Sequence, residues 1–145
     1  MTQQIILLRG LPGSGKTTWA LQEVAAHPDT YKRINKDSLR AMFDGTCGYS
    51  FEREVFILDV RETLIGMALE RGFSVIIDDT NFGEHHEQRI RYSFEDRAQI
   101  TVKDFTDVPL EECIRRDAGR DKPVGEEVIR NMYQKYLAPK EEEKQ

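Results

Sequence analysis

The chain has 145 residues, 32% of them charged, and a formal net charge of −5; that length holds one domain with a real core, not two full-sized ones. No apolar run approaches the roughly 20 residues that cross a bilayer, and the opening MTQQIILLRG lacks the basic flank and cleavage site of a signal peptide. A soluble, cytoplasmic protein is expected, with Cys47 and Cys113 as free thiols, and the acidic balance argues against a protein that coats long nucleic acids while leaving room for one that grips a terminus.

The run from Ile5 to Leu8 predicts a fully buried strand, followed at once by GLPGSGKT. Thr17 to His27 reads as a helix with Trp19, Ala20, Val24 and Ala25 able to face inward, stopped before Pro28. YKRIN predicts a short strand and DSLRAMF a short helix beginning near Asp37. Lys32, Arg33, Lys36 and Arg40 make this segment a local basic patch. DGTCGYS is a loop whose Ser50 suits an N-cap, and a long helix from Phe51 to Arg71 carries Phe51, Val55, Leu58, Ile65 and Leu69 near helical spacing. Phe73 to Ile77 predicts a second buried strand that ends in DDTN. A polar helix around Glu84 to Ala98 turns Ile90 and Phe94 inward and leaves His85 and His86 at the surface. Ile100 to Phe105 reads as a strand nearer an edge. Two helices follow, one from about Pro109 and one from about Glu126 to Leu137; the apolar stripe of the latter suits internal packing or pairing with another subunit. The acidic stretch Glu141 to Lys144 reads as a solvated tail.

Strands alternating with crossover helices predict an α/β fold, a parallel sheet of four to five strands covered on both faces, with binding groups at the strands' C-terminal ends. No linker or repeat divides the chain, so residues 1–145 read as a single domain.

Gly10, Gly15, Lys16 and Thr17 satisfy GxxxxGK[ST] in the context the motif requires, a buried strand before it and a helix after it. The glycines let backbone N–H groups close around phosphate oxygens, and the helix N-terminus adds a fixed positive end. The loop from Leu11 through Pro12, Gly13, Ser14, Gly15, Lys16 and Thr17 to Thr18 is expected to bind the ATP or GTP phosphates. Lys16 reaches the β/γ-phosphates, and the Thr17 hydroxyl ligates Mg²⁺. The sequence lacks a GTPase base-reading motif and is short for an oligomeric AAA-type motor, which leaves a small phosphotransferase. In VIIDDTN a strand ends in two acids, with Asp79 expected at the crevice and Asp78 turned away because strand neighbours alternate sides. Thr80 and Asn81 offer neutral hydrogen bonds to a phosphate or sugar. In IRRDAGRDK, Arg116 and Arg120 stand four apart on one face, which suits a lid of about residues 109–125 closing on ATP, or a solvated basic face. Asp37 and Arg40, one helical turn apart in INKDSLR, suit a helix cap with its ion pair, or a base with a clamp beside it.

Taken together, GLPGSGKTTWA, NKDSLR, IDDTN, FTDVPLEECIRRDAGR and VIRNMYQKYL resemble the kinase domain of the phage-type polynucleotide 5′-kinases, within the P-loop kinase superfamily, over nearly the whole chain. That resemblance implies a three-layer P-loop fold with a helical lid, and ATP with Mg²⁺. Asp37 would act as general base toward a polynucleotide 5′-OH, with Arg40 on the acceptor's 3′-phosphate and Asp79 as the acid supporting it. Thr80 and Asn81 would line the acceptor pocket. Arg120 would stabilise the moving phosphoryl group, Arg116 would pack on adenine, and Val124 would form a second wall of the adenine slot. The acidic DxDGT motif of the bifunctional relatives' phosphatase domain is not found before Gln145, so 5′-phosphorylation without 3′-dephosphorylation is expected, in a host cytoplasm if the phage likeness holds. The segment Asp44 to Phe51 departs from the family pattern. A small-molecule kinase acting on a sugar acid, adenylylsulfate or an antibiotic is the alternative, and a nucleotide-binding switch with no acceptor a third reading.

Overall fold

In the computed structural model, residues 2–139 are described, and the acidic tail falls outside them. Four parallel strands form one sheet: β1 (Gln4–Arg9), β2 (Tyr31–Ile34), β3 (Ser74–Ile77) and β4 (Gln99–Asp104), in the order β2-β3-β1-β4. Ile6 of β1 stands between Ile76 of β3 and Thr101 of β4 in register, and Ile34 of β2 pairs with Ile77 of β3. Six helices accompany them: α1 (Lys16–Ala26), α2 (Lys36–Asp44), α3 (Phe51–Glu70), α4 (Glu84–Phe94), α5 (Leu110–Ala118) and α6 (Glu126–Tyr136).

The apolar continuity of IILL has its reason in the layers. Ile5 and Leu7 pack with residues of α2, α3 and α4, whereas Ile6 and Leu8 pack with Ala20 and Trp19 of α1 on the other face. Both faces of β1 are therefore dry, as a central parallel strand requires. The third cluster joins Leu11, Phe82, Cys113 and Ile129, seating α5 and α6 over the loops that leave β1 and β3.

Two helices differ from expectation. In α3 the buried stripe runs through Ile57, Arg61, Ile65, Ala68 and Leu69, while Phe51 (74% exposed) and Val55 face outward. The periodicity of the sequence fixes spacing but not which phase is covered. α4 ends at Phe94, four residues before Ala98, and residues 95–98 turn through bonds from the Arg97 and Ala98 N–H groups to the Phe94 carbonyl. No helix among the described residues is long and apolar enough to cross a membrane.

Candidate active site

The loop after β1 closes on itself. Gly13 (φ +83°) and Gly15 (φ +102°) take left-handed backbone that L side chains avoid. At Gly13 the packing is as demanding as the angle: a Cβ there would lie 2.3 Å from the carbonyl oxygen of Cys113 in α5. Gly15 caps α1 with no side-chain hydrogen bond, and no acid stands in the first turn. Free N–H groups at a helix start, beside a lysine, are suited to an anion. Lys16 is buried and donates to the carbonyls of Gly10 and Leu11, each at 2.8 Å. Burial pulls its ammonium down to about 8, with Asp78 opposing the shift. A nucleotide phosphate fits this cradle: Gly13 and Gly15 keep it clear of Cβ atoms, no side chain caps the start of α1, and the Lys16 ammonium stands in the loop.

At the end of β3 the two acids divide, with the opposite assignment to the one expected. Asp78 is the acid on the Thr17 side, accepting from the Thr17 hydroxyl at 2.9 Å and from Arg33 Nε at 2.7 Å. Asp79 faces α2 and accepts from the Lys36 N–H at 2.9 Å. Burial pushes its carboxyl up, against the bond from Lys36 and the charges of Lys36 and Arg61. Alternation along the strand does separate the two; the side each takes depends on α1 lying on one face of the sheet and α3 on the other. A hydroxyl beside a strand-end carboxylate is the donor set that a hard, oxygen-seeking cation such as Mg²⁺ takes, so Thr17 fits the role of ligand.

α2 begins one residue earlier than its acid suggests. Asn35 is the cap, its Oδ1 accepting from Ser38 N at 2.8 Å while its Nδ2 donates to the Asp78 carbonyl at 2.6 Å. This single side chain starts the helix and ties it to β3. Asp37 is therefore not the cap. Its side chain is 82% exposed in the first turn and touches Arg40 NH1 at 2.6 Å. Arg40 is gripped from α3: Nε and NH2 donate to the two Glu54 carboxylate oxygens at 3.0 and 2.7 Å. The acid supporting Arg40 is thus Glu54, and Asp79 supports the backbone of Lys36 instead. Arg40 holds the Glu54 carboxyl below the usual carboxylate range in spite of burial. Of the five guanidinium N–H groups, three are engaged here and two stay free for a ligand.

The basic patch expected from Lys32 to Arg40 is largely neutralised: Arg33 meets Asp78, Lys36 is buried 3.9 Å from Glu54, and Lys32 lies over the Phe73 ring. Asn81 also departs from expectation. It is 2% exposed, with φ +50°, and its Nδ2 donates to the Leu8 carbonyl at 2.6 Å, so its amide latches β3 to β1. Thr80 does line a groove, of about 360 Å³, with Phe82, His86 and residues of α6 that include Asn131 and Lys135. His86 is half-buried in that wall, not a surface residue. Burial, reinforced by Lys36, His85 and Arg61, pulls its imidazole down to about 4, which leaves it neutral at pH 7.

Above the loop, Arg116 donates to the Gly13 carbonyl at 3.4 Å and pairs with Glu112. Arg120 stands half-exposed beside Asp117. Asp117, buried, shapes the turn into α6 by accepting from Val124 N at 3.0 Å and Gly125 N at 2.9 Å. Pro12, Ser14 and Thr18 belong to the same loop and first turn, with Ser14 buried and Thr18 exposed. Glu54 and Asp117 are residues that sequence patterns passed over, since Glu54 acts on Arg40 across 14 residues and Asp117 through the backbone N–H groups of Val124 and Gly125.

Known proteins resemble this chain in sequence and fold. The AAA domain family (AAA_33) matches residues 5–139. An L-seryl-tRNA(Sec) kinase of Methanococcus maripaludis is 32% identical over 138 residues, covering 93% of this chain and 53% of its own length, so the chain spans about half of that relative. A chain of the Pnkp1/Rnl/Hen1 RNA repair complex superposes with a TM-score of 0.80 at 29% identity, over 92% of this chain and 43% of that one. The Mycobacterium tuberculosis APS kinase CysC, solved with AMPPNP and APS, shares the fold with a TM-score of 0.64 at 20% identity, over 81% of this chain and 70% of that one.

Proposed function

This chain belongs to the AAA domain family, and we propose that within it the chain is an ATP-dependent kinase whose acceptor is the 5′-OH end of a polynucleotide. The observation that carries the reading is Asp37: released from capping by Asn35, exposed in the first turn of α2, with Arg40 at 2.6 Å. An exposed acid paired with an arginine, at the same sheet edge as a phosphate-binding loop, has the form of a base with a substrate clamp beside it. The likeness to a chain of an RNA repair complex supports a nucleic-acid acceptor.

In this reading the Asp37 carboxylate takes the proton of the acceptor hydroxyl as its oxygen attacks the γ-phosphorus of ATP. The bond from that phosphorus to the bridging oxygen breaks, and ADP leaves with the bonding pair. Lys16 exchanges the Gly10 and Leu11 carbonyls for phosphate oxygens, and loop N–H groups between Gly13 and Thr18 hold the rest. Thr17 would hold Mg²⁺, which would supply charge neutralisation of the phosphates. Arg120, half-exposed on the lid, bears on the moving phosphoryl group. Arg116 and Val124 flank the adenine, and the two free N–H groups of Arg40 take the acceptor's 3′-phosphate. Thr80 contributes to the acceptor groove, while Asn81 and Asp79 act by shaping its walls. The lid spans about residues 109–125 of a single kinase domain.

The 32% identity to a seryl-tRNA kinase supports a second reading, a hydroxyl carried by an aminoacyl-tRNA. One experiment separates them: γ-labelled ATP with a 5′-OH oligonucleotide bearing a 3′-phosphate, with seryl-tRNA, and with gluconate and adenylylsulfate. Label on the oligonucleotide, lost in Asp37→Asn with ATP binding retained, is the expected result. Transfer to seryl-tRNA or a small metabolite alone refutes the 5′-end reading, and near-normal turnover by Asp37→Asn refutes the base.

A further inference from the structure

Asp78 is 1% exposed, yet a single oxygen of it, Oδ2, receives two donors, the Thr17 hydroxyl at 2.9 Å and Arg33 Nε at 2.7 Å. Strand pairing brings the arginine there. Arg33 of β2 stands in register with Ile76 of β3. Asp78, whose N–H donates to the Ile34 carbonyl and so prolongs the ladder, points to the same side as Ile76 because strand side chains alternate. Ile76 and Tyr31 pack in the cluster that holds Ala20 and Trp19 of α1, so Arg33, Asp78 and Thr17 meet on the face that α1 covers. Arg33 is the only cation in ion-pair contact with Asp78 among the described residues.

A buried carboxylate requires a compensating charge, and Arg33, its side chain 22% exposed, supplies one. The same carboxylate and the Thr17 hydroxyl also make the donor set that suits Mg²⁺. Two positive groups therefore address one carboxylate, a guanidinium fixed on β2 and the divalent cation that a kinase of this form uses. Like charges that converge in a shielded site repel far more than they do in water. The arginine thus opposes a cation at Thr17 and Asp78 unless further negative charge arrives with it, and nucleotide phosphates carry that charge.

We propose that Arg33 is a resident counter-ion of the cation site: it holds the Asp78 oxygen that Thr17 also addresses, and so admits a divalent cation to this pair chiefly in company with nucleotide phosphates. The proposal rests on the reading of the chain as an ATP-dependent kinase for its place in the reaction, and on the Thr17–Asp78–Arg33 contacts for the cation's affinity. Its consequence is an order of binding, with the cation entering on the nucleotide and not before it. An arginine that served the fold alone would change stability on removal and leave the response to cations as it was.

The test compares the full chain with Arg33→Gln, Arg33→Lys, Asp78→Asn and the Arg33→Gln/Asp78→Asn double variant. Glutamine keeps a neutral donor for Asp78 and removes the charge. Mn²⁺, which takes the same oxygen donors as Mg²⁺, is titrated without nucleotide and followed by water-proton relaxation. Its affinity is expected to rise roughly 10–100-fold in Arg33→Gln and to stay within about threefold of the parent in Arg33→Lys. The double variant returns to the affinity of Asp78→Asn alone. Mg²⁺ at about ten times the dissociation constant of Arg33→Gln raises the melting temperature of that variant by about 4 °C, and that of the parent by under about 2 °C. An unchanged Mn²⁺ affinity in Arg33→Gln, whether or not its stability or AMPPNP binding falls, overturns the proposal. So does a gain that survives Asp78→Asn, or the lack of a cation response in every variant. Should Arg33→Gln be unfolded without cation, recovery of its helical circular dichroism on adding Mn²⁺ supports the proposal and no recovery overturns it. If the parent fails to bind AMPPNP even with Mg²⁺, the kinase reading fails by itself, and the Mn²⁺ titrations still decide the role of Arg33.

Discussion

The contact between Gly13 and α5 yields a prediction with a worked magnitude. In Gly13→Ala the new Cβ meets the Cys113 carbonyl oxygen at 2.3 Å, where ordinary contact begins at 3.4 Å, so α5 has to retreat by about 1 Å in a region packed like a crystal. The left-handed backbone at φ +83° adds about 1–2 kcal/mol for a residue with a side chain, and forced overpacking about 1–3 kcal/mol. A middle value of about 3 kcal/mol lowers the melting temperature by roughly 6–12 °C at this chain length. Nucleotide affinity falls as well, because the loop cannot move away from α5 without turning its N–H groups off the phosphates. Calorimetry of AMPPNP binding is expected to show at least about a tenfold loss of affinity, equivalent to about 1.4 kcal/mol. Gly48→Ala is the control: nothing lies within 4 Å of its Cβ position and its φ is not in the left-handed region, so its melting temperature stays within about 2 °C of the parent. Equal melting and equal nucleotide affinity in Gly13→Ala refute the argument that α5 and the phosphate loop share one tight seam.

Three further predictions come from α3. Glu54→Gln removes the carboxylate that grips Arg40, and is expected to raise the acceptor KM more than the ATP KM, read by steady-state kinetics with each substrate varied; equal effects on both contradict the assignment. Because Arg40 depresses the Glu54 carboxyl, its stabilisation is present above the unfolded pKa and is lost as pH falls through the lower folded one. Melting curves of parent and Glu54→Gln should therefore converge only as pH falls below the usual carboxylate range. Ile57→Ala is expected to cost about 2–5 kcal/mol in denaturant unfolding against under about 0.5 kcal/mol for Phe51→Ala, and the reverse ranking refutes the phase assigned to the helix.

What the sequence determined by itself was local. The glycine-rich loop between an apolar strand and a helix is written in consecutive residues, and so is the one-turn spacing of Asp37 and Arg40. The alternation of elements gave a parallel sheet because β1 had to be apolar on both faces. The cap of α2 lay within reach of sequence too, but Asn35 and Asp37 are both good capping residues and only the backbone shows which one the helix uses. Tertiary structure decided the remainder. Alternation separates Asp78 from Asp79 without saying which faces Thr17, since that sign is set by which helices cover each face of the sheet. The partners of Arg40 and Lys36 come from α3 and β3, many residues away, and no spacing rule links them. Arg61 is the clearest case: in the sequence it is one more charge on an amphipathic helix, and only the packing of α3 against the sheet shows it buried and without a hydrogen-bond partner. Covalent neighbours fix what a residue is able to do, and the charges brought to it through space by the fold fix what it does.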